Sequence, residues 1–389
     1  MRIRHIQVRG YRVLENASVD LKGLNVLIGP NGVGKSTFLD AFVLLSQGAQ
    51  GQLHHAVSSR GGISRMHSFG REAAVGFTLR TDKVTWPHMP RQAEFRYSFD
   101  LAPVMNRYYR VSAEELVARR HGRRGETTVI GRRGDRADVS YPLPKGRRAI
   151  HNTLQPALDQ LALATANKYP SGLTELVTWL WGIRSYAPVA MDERSPLRLP
   201  QTLQPTASFP DPSGNDLFSV LQNTRIENEA CYERIIDVLQ AAFPGFSKLD
   251  ISPVGAGQVT LACRMGSFGP LFANELSAGT LRFLMLATLL LSPTAPPLIL
   301  LDEPDASLHP ELLRLLVELL VQAAERTQII VATQSASLIR FLKPEHVIVM
   351  DTESDGVHLK RGDQLDLQRW LSEYTLDQLW QMGEIGGRP

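Results

Sequence analysis

Cysteine is nearly absent from this chain: Cys231 and Cys263 are the only two in 389 residues. Two thiols cannot build a disulfide framework, and they lack metal-ligand spacing, so both are expected to be buried and free. A strong charge of either sign is also missing, because the net charge is +3. That balance permits contact with nucleic acid without arguing for it. No apolar run suits a membrane. The most hydrophobic stretch, residues 283–301, is broken by Pro293, Pro296 and Pro297 and reads as helix, turn and strand. No signal peptide is visible, since residues 1–8 alternate charged and apolar side chains as a strand does. A sustained heptad repeat is missing too. The expectation is a cytoplasmic α/β chain, ample in length for a sizeable core and not a membrane protein.

What is present is a pair of phosphate-handling segments. Residues 29–37 read Gly29-Pro30-Asn31-Gly32-Val33-Gly34-Lys35-Ser36-Thr37, entered from the apolar run Leu24–Ile28. This is a G-x-x-x-x-G-K-[ST] loop: its glycines let backbone N–H groups close around the phosphates of a nucleotide. Lys35 reaches the β/γ oxygens, and the Ser36 hydroxyl ligates Mg²⁺. A helix over 35–46 begins on the phosphates, so its positive dipole end adds to the anion site. Far downstream, the buried strand 298–301 ends in Asp302 and Glu303. Asp302 is the candidate for Mg²⁺ and Glu303 for polarising a water. Together the two segments point to ATP with Mg²⁺.

Just before that strand stands Asn274-Glu275-Leu276-Ser277-Ala278-Gly279-Thr280, then an apolar helix over 281–291. Ser277 is a good cap for such a helix. The segment also resembles the signature motif of ABC-type ATPases. There a serine and a glycine at a helix start serve a γ-phosphate held by the other subunit of a dimer, which assigns Ser277 and Gly279 to that task.

Further segments carry a wider resemblance. The opening Ile3-Arg4-His5-Ile6-Gln7-Val8-Arg9-Gly10-Tyr11-Arg12, followed by residues 24–28 and the loop, looks like the start of RecF, SMC and OLD-type ATPases. Asp305-Ala306-Ser307-Leu308-His309-Pro310 resembles their D-loop, and residues 329–335 their switch strand. The ending Leu376-Asp377-Gln378-Leu379-Trp380 through Gly386-Gly387-Arg388-Pro389 resembles stand-alone RecF-like ATPases. The switch position, often histidine in these relatives, is Gln334, whose amide can hydrogen-bond but cannot titrate. The resemblance implies an α/β ABC-type P-loop NTPase head of two lobes, with an antiparallel β layer and a helical insertion. It also implies a homodimer forming on ATP binding, with Glu303, Lys35 and Gln334 at the chemistry.

Along the chain, strands are expected near 2–8, 15–21 and 24–28, and an antiparallel layer near 73–80, 93–102 and 107–112. Residues 113–150 read as basic and turn-rich, with Arg119, Arg120, Arg123, Arg124, Arg132, Arg133, Arg136, Lys145, Arg147 and Arg148. A DNA-backbone patch and a solvated hairpin both fit this segment. Helical pattern returns at 151–165 and 172–182. A proline-rich connector at 187–212 reads as extended and mobile. Helices near 215–223 and 226–242 and strands 248–253 and 258–265 follow. The expected domains are 1–150, 151–225 and 226–389.

The spacing separates this chain from its relatives. No long coiled coil lies between the nucleotide segments, as SMC-type proteins have. The acidic string Val349-Met350-Asp351-Thr352-Glu353-Ser354-Asp355 faintly resembles the metal site of a nuclease domain, but too little chain follows it; a hairpin turn before residues 357–360 explains it better. Gln47 is read as ordinary helix surface, not the glutamine loop of a transporter ATPase. Arg12 fits a nucleotide contact and a surface arginine equally. Two roles remain open for the ATP switch. One is DNA maintenance, with duplex DNA as partner. The other is regulation of a separately encoded nuclease or toxin, as in phage defence.

Overall fold

The computed structural model describes residues 1–68, 74–83, 92–105, 108–120, 125–141, 150–166, 173–266, 269–353, 356–365 and 374–386. They form two compact units. The first comprises residues 1–183, 344–374 and 379–389, and the second residues 184–343 and 375–378. Among the described residues no helix is long and apolar enough to cross a membrane.

The first unit begins with β1 (Ile3–Tyr11), β2 (Leu14–Asp20), β3 (Leu24–Ile28), α1 (Lys35–Ala49), α2 (Leu53–Ser59) and α3 (Ile63–Met66). There follow β4 (Val75–Thr81), β5 (Ala93–Val104), β6 (Tyr108–Arg120), β7 (Glu126–Arg133), β8 (Arg136–Tyr141), β9 (Ile150–Leu154), α4 (Ala162–Ala166) and α5 (Leu173–Trp181). Eight strands form an antiparallel sheet in the order β2-β1-β4-β5-β6-β7-β8-β9. Alternation dictates its faces: in β5, Phe95, Tyr97, Phe99 and Leu101 are buried while Glu94, Arg96, Ser98 and Asp100 are half-exposed. The buried face is aromatic, with the Phe77 and Phe99 rings stacked at 5.1 Å and Tyr11 5.6 Å from Phe77.

The second unit carries β10 (Arg184–Tyr186), β11 (Gln201–Thr202), α6 (Leu217–Glu227), α7 (Glu229–Ala242), β12 (Phe246–Gly255), β13 (Gln258–Met265), β14 (Pro270–Phe272), α8 (Ala278–Leu291), β15 (Leu298–Asp302), α9 (Pro310–Ala323), β16 (Gln328–Ala332) and α10 (Ala336–Ile339). Here β10, β15 and β16 run parallel, with Leu298 opposite Gln328 and Asp302 opposite Ala332. Leu298, Ile299, Leu300 and Leu301, like all of β16, are buried, the continuous apolar run of a strand covered on both faces. The chain then returns to the first unit with β17 (Val347–Glu353) and β18 (Gly356–Arg361), and α11 (Leu376–Met382) follows. β17 lies parallel to β3, Val26 opposite Val347. It turns antiparallel into β18, the hairpin expected before residues 357–360.

Three expectations change. The described residues of 113–150 continue the antiparallel sheet: β6 runs on to Arg120, and β7 and β8 follow. The expected helix at 151–165 is instead strand β9, a turn and the short α4. Arginine-rich strands and an apolar pattern of ambiguous period conceal such pairing, because ladder partners lie on other strands. The connector 187–212 is anchored, not free: Leu197 is fully buried, and Gln201 donates to the carbonyls of Pro196 (3.0 Å) and Gly214 (2.7 Å).

Candidate nucleotide site

The loop at residues 29–34 takes its shape from glycine. Gly29, Gly32 and Gly34 have φ of 154°, 78° and 106°. A Cβ on Gly29 would stand 2.3 Å from the Met350 carbonyl oxygen, and one on Gly34 would stand 2.6 Å from Val13 Cγ2. No larger residue fits at either position without moving β17 or the β1–β2 turn. Gly34 is the N-cap of α1 and offers no side-chain cap, and the first turn of α1 holds no acid. No carboxylate of the first turn therefore opposes its leading N–H groups and dipole. Lys35 is almost buried, and its Nζ donates to the carbonyls of Gly29 (2.7 Å) and Pro30 (3.0 Å). Ser36, Asn31 and Gly32 are exposed at the loop's open side, Thr37 is half-buried, and Val33 is buried beneath. Backbone N–H groups in such a loop at a helix start could hold an anion of phosphate size.

A cluster next to this loop was not evident from the sequence. Asp40, one turn beyond Ser36, accepts from the Tyr11 hydroxyl at 2.5 Å and from the Arg60 guanidinium at 2.5–3.1 Å. Burial, with the Asp40 charge behind it, pushes the Tyr11 hydroxyl pKa up. Burial opposes the Arg60 charge, but its bonds to Asp40 prevail and raise its pKa. Arg60 also donates to Gln47 Oε1 at 2.9 Å, so Gln47 serves this cluster. Arg12, in the left-handed region at φ 50°, lies 3.5 Å from Asp40 with its guanidinium over the Tyr11 ring. The only hint in sequence was an arginine followed by two glycines, Arg60-Gly61-Gly62.

The second unit holds the other predicted residues. Asp302 ends β15, half-buried, and Glu303 follows at φ 46°. That left-handed backbone is uncommon for glutamate, and strain of this kind clusters at functional sites. It is held on one side by the Glu303 N–H bond to the Ala332 carbonyl (2.8 Å) and on the other by Gln334, whose Nε2 donates to Oε1 at 2.8 Å. Thr333, between β16 and Gln334, donates to Asp305 at 2.7 Å.

Ser277 is the N-cap of α8: its exposed Oγ accepts from the Thr280 N–H at 3.1 Å and lies 2.8 Å from Thr280 Oγ1. The capping role expected for Ser277 is thus present. A Cβ on Gly279 would come 2.7 Å from the Ser307 carbonyl, so the start of α8 and the backbone at residue 307 pack closely. Ser307 itself sits at φ 66°.

Of the basic patch, Arg132 must be removed. It is 2% exposed and donates to the carbonyls of Gly134, Ala157 and Gln160, a structural task. Arg119, Arg133 and Arg136 are exposed. Arg123, Arg124, Lys145, Arg147 and Arg148 lie outside the described residues, as do Ser354, Asp355 and residues 387–389; of Arg120 only the backbone is described.

The family model described as "AAA domain, putative AbiEii toxin, Type IV TA system" matches residues 89–340, and one described as "AAA ATPase domain" matches residues 1–83. No curated protein matches the chain. Among solved structures, an Smc head bound to the C-terminal winged-helix domain of ScpA is 12% identical over 95% of this chain and 100% of its own, with a TM-score of 0.57. The SMC head domain from Thermotoga maritima (12% identity, 93% and 99% covered) gives 0.46. A Pyrococcus furiosus Smc head with an extended coiled coil (12%, 95% and 98%) gives 0.48. The first likeness shows the fold, an α/β P-loop NTPase head, and the match over residues 89–340 shows the family. The chain belongs to this AAA family, and its fold is like that of an SMC head.

Proposed function

We propose that the chain binds ATP with Mg²⁺ and hydrolyses it at a composite site completed when two copies dimerise. The observation that carries this reading is the strained, doubly held Glu303, a carboxylate fixed directly after Asp302 and bonded to the switch residue Gln334. In this reading residues 29–37 wrap the triphosphate, with Lys35 on the β/γ oxygens, and Ser36 and Asp302 hold the metal. Mg²⁺, when bound, supplies charge neutralisation at the transferred phosphoryl group. Glu303 orients the attacking water and accepts its proton, while Gln334 keeps the carboxylate turned to that task. Ser277 and Gly279 of the second copy complete the γ-phosphate site, so hydrolysis opens the dimer.

The cellular task follows from what the dimer holds. Duplex DNA is the first ligand to test, given exposed Arg119, Arg133 and Arg136 on one sheet. A second reading, regulation of a separate toxin or nuclease, has its own support: the matching family's description places AAA domains of this kind within a type IV toxin–antitoxin system. Both readings place the chain in the cytoplasm.

The test is complementation. Lys35→Ala should abolish nucleotide binding, and Ser277→Arg should spare it while abolishing ATP-driven dimerisation and turnover. Mixed, the two variants should regain one working site per dimer. Undiminished dimerisation of Ser277→Arg by light scattering would reduce Ser277 to a helix cap.

A further inference from the structure

We infer that Arg198, on the proline-rich connector, is a positioning residue for the signature turn, and that with Arg282 it binds connector, signature and D-loop into one device. The inference rests on the composite-site reading above and names what holds half of that site in shape.

The geometry is specific. Arg198 Nη1 donates to the carbonyls of Leu276 (2.8 Å) and Asn274 (3.0 Å), and its Nε donates to the Met191 carbonyl (3.1 Å). These first two acceptors flank Glu275 in the turn that delivers Ser277 to the head of α8. Two fixed carbonyls orient the peptide planes on the approach to Ser277, while Leu276 is buried and Ser277 exposed. The anchor itself is firm. Leu197 is fully buried against Gly214, where a Cβ would meet its Cδ2 at 2.6 Å, and the Phe218 N–H donates to Gln201 Oε1 at 3.0 Å.

Arg282 completes the link from the other side. It stands 8% exposed on α8, donating to the carbonyl of Ala306 in the D-loop and to that of Val189 on the connector (2.9 Å). Burial lowers its pKa and nearby Asp305 works the other way. Arg198 thus ties the connector to the turn that precedes Ser277, and Arg282 ties the connector to Ala306. A planar guanidinium can serve three carbonyls in fixed directions; an ammonium on a flexible stem cannot hold the same set.

Arg198→Ala, Arg198→Lys and Ser277→Arg, each in the full chain, test the assignment against the parent. A fluorescent ATP analogue should bind both Arg198 variants within about twofold of the parent, because the phosphate loop is untouched. For Arg198→Ala, kcat and ATP-driven dimerisation should fall on the order of tenfold with KM nearly unmoved, as expected for a group acting only on the assembled site. Arg198→Lys should recover part of that loss. Should Arg198→Ala fold poorly, amide exchange across residues 274–281 in Arg198→Lys decides: faster exchange confined to this turn supports the assignment, and parental exchange overturns it. Parental kcat in Arg198→Ala, with Ser277→Arg inactive, overturns the role of Arg198 alone. Parental behaviour of both variants overturns the composite site itself.

Discussion

Gln334 donates from Nε2 to Oε1 of Glu303 across 2.8 Å, joining the end of one parallel strand to the end of its neighbour. An amide has no proton to gain or lose at ordinary pH, so it fixes the direction of the carboxylate without competing for its proton. Where a histidine would couple the two groups electrostatically, here the coupling is geometric.

Glu303→Gln should leave ATP affinity near the parental value and cut turnover by on the order of 10²-fold or more, since shape persists while the proton acceptor is removed. The ATP-bound dimer should then persist on size exclusion. Parental phosphate release by this variant would remove Glu303 from the chemistry.

Gln334→Leu should lower kcat by about tenfold with little change in KM, because it frees a side chain acting in the transition state. Gln334→His introduces a group of ordinary pKa about 6.5. Above that pH it is neutral and can replace the amide. Below it, the imidazolium pairs with Glu303 and weakens it as a base, so activity should drop on the acid side. A pH–rate profile identical to the parent's would contradict the importance of this contact.

For DNA, replacing Arg119, Arg133 and Arg136 together by Gln should weaken duplex binding. The log–log salt slope should fall by about 0.9 for each phosphate that is no longer neutralised. Basal ATP turnover should not change. Arg132→Ala should act differently: it takes the donor from three part-buried carbonyls and the nearby positive charge from the buried Glu114 carboxylate, and should cost about 3 kcal/mol of stability, read as a fall in Tm. If the parent shows no DNA affinity at ~50 mM salt, the DNA reading fails and the regulatory one takes its place.

Cys231 and Cys263 should resist thiol reagents until the chain unfolds. Both are buried, and burial pushes the Cys263 thiol up to about 12. At pH 8 the reactive thiolate is then on the order of one part in 10⁴. Fast labelling of either in native protein would contradict the packing of α7 or β13.

The glycine-rich loop before α1, the placing of Asp302 and Glu303 at the end of a buried strand, Ser277 at the start of α8 and most of the strands and helices that carry them are legible in the linear chain. Each is contiguous: a loop that wraps phosphate with its own N–H groups must be written in adjacent residues, and a fully covered parallel strand must be apolar throughout. Folding alone reveals that β6 to β9 extend the sheet, that Arg132 is a buried strut rather than surface charge, and that the connector is clamped. The reason lies in the acceptors. Arg132, Arg198 and Arg282 bond mainly to backbone carbonyls, which every residue has, at positions as far as 93 residues apart along the chain. An arginine facing solvent and one holding distant carbonyls read alike in one dimension, and only the folded backbone tells them apart.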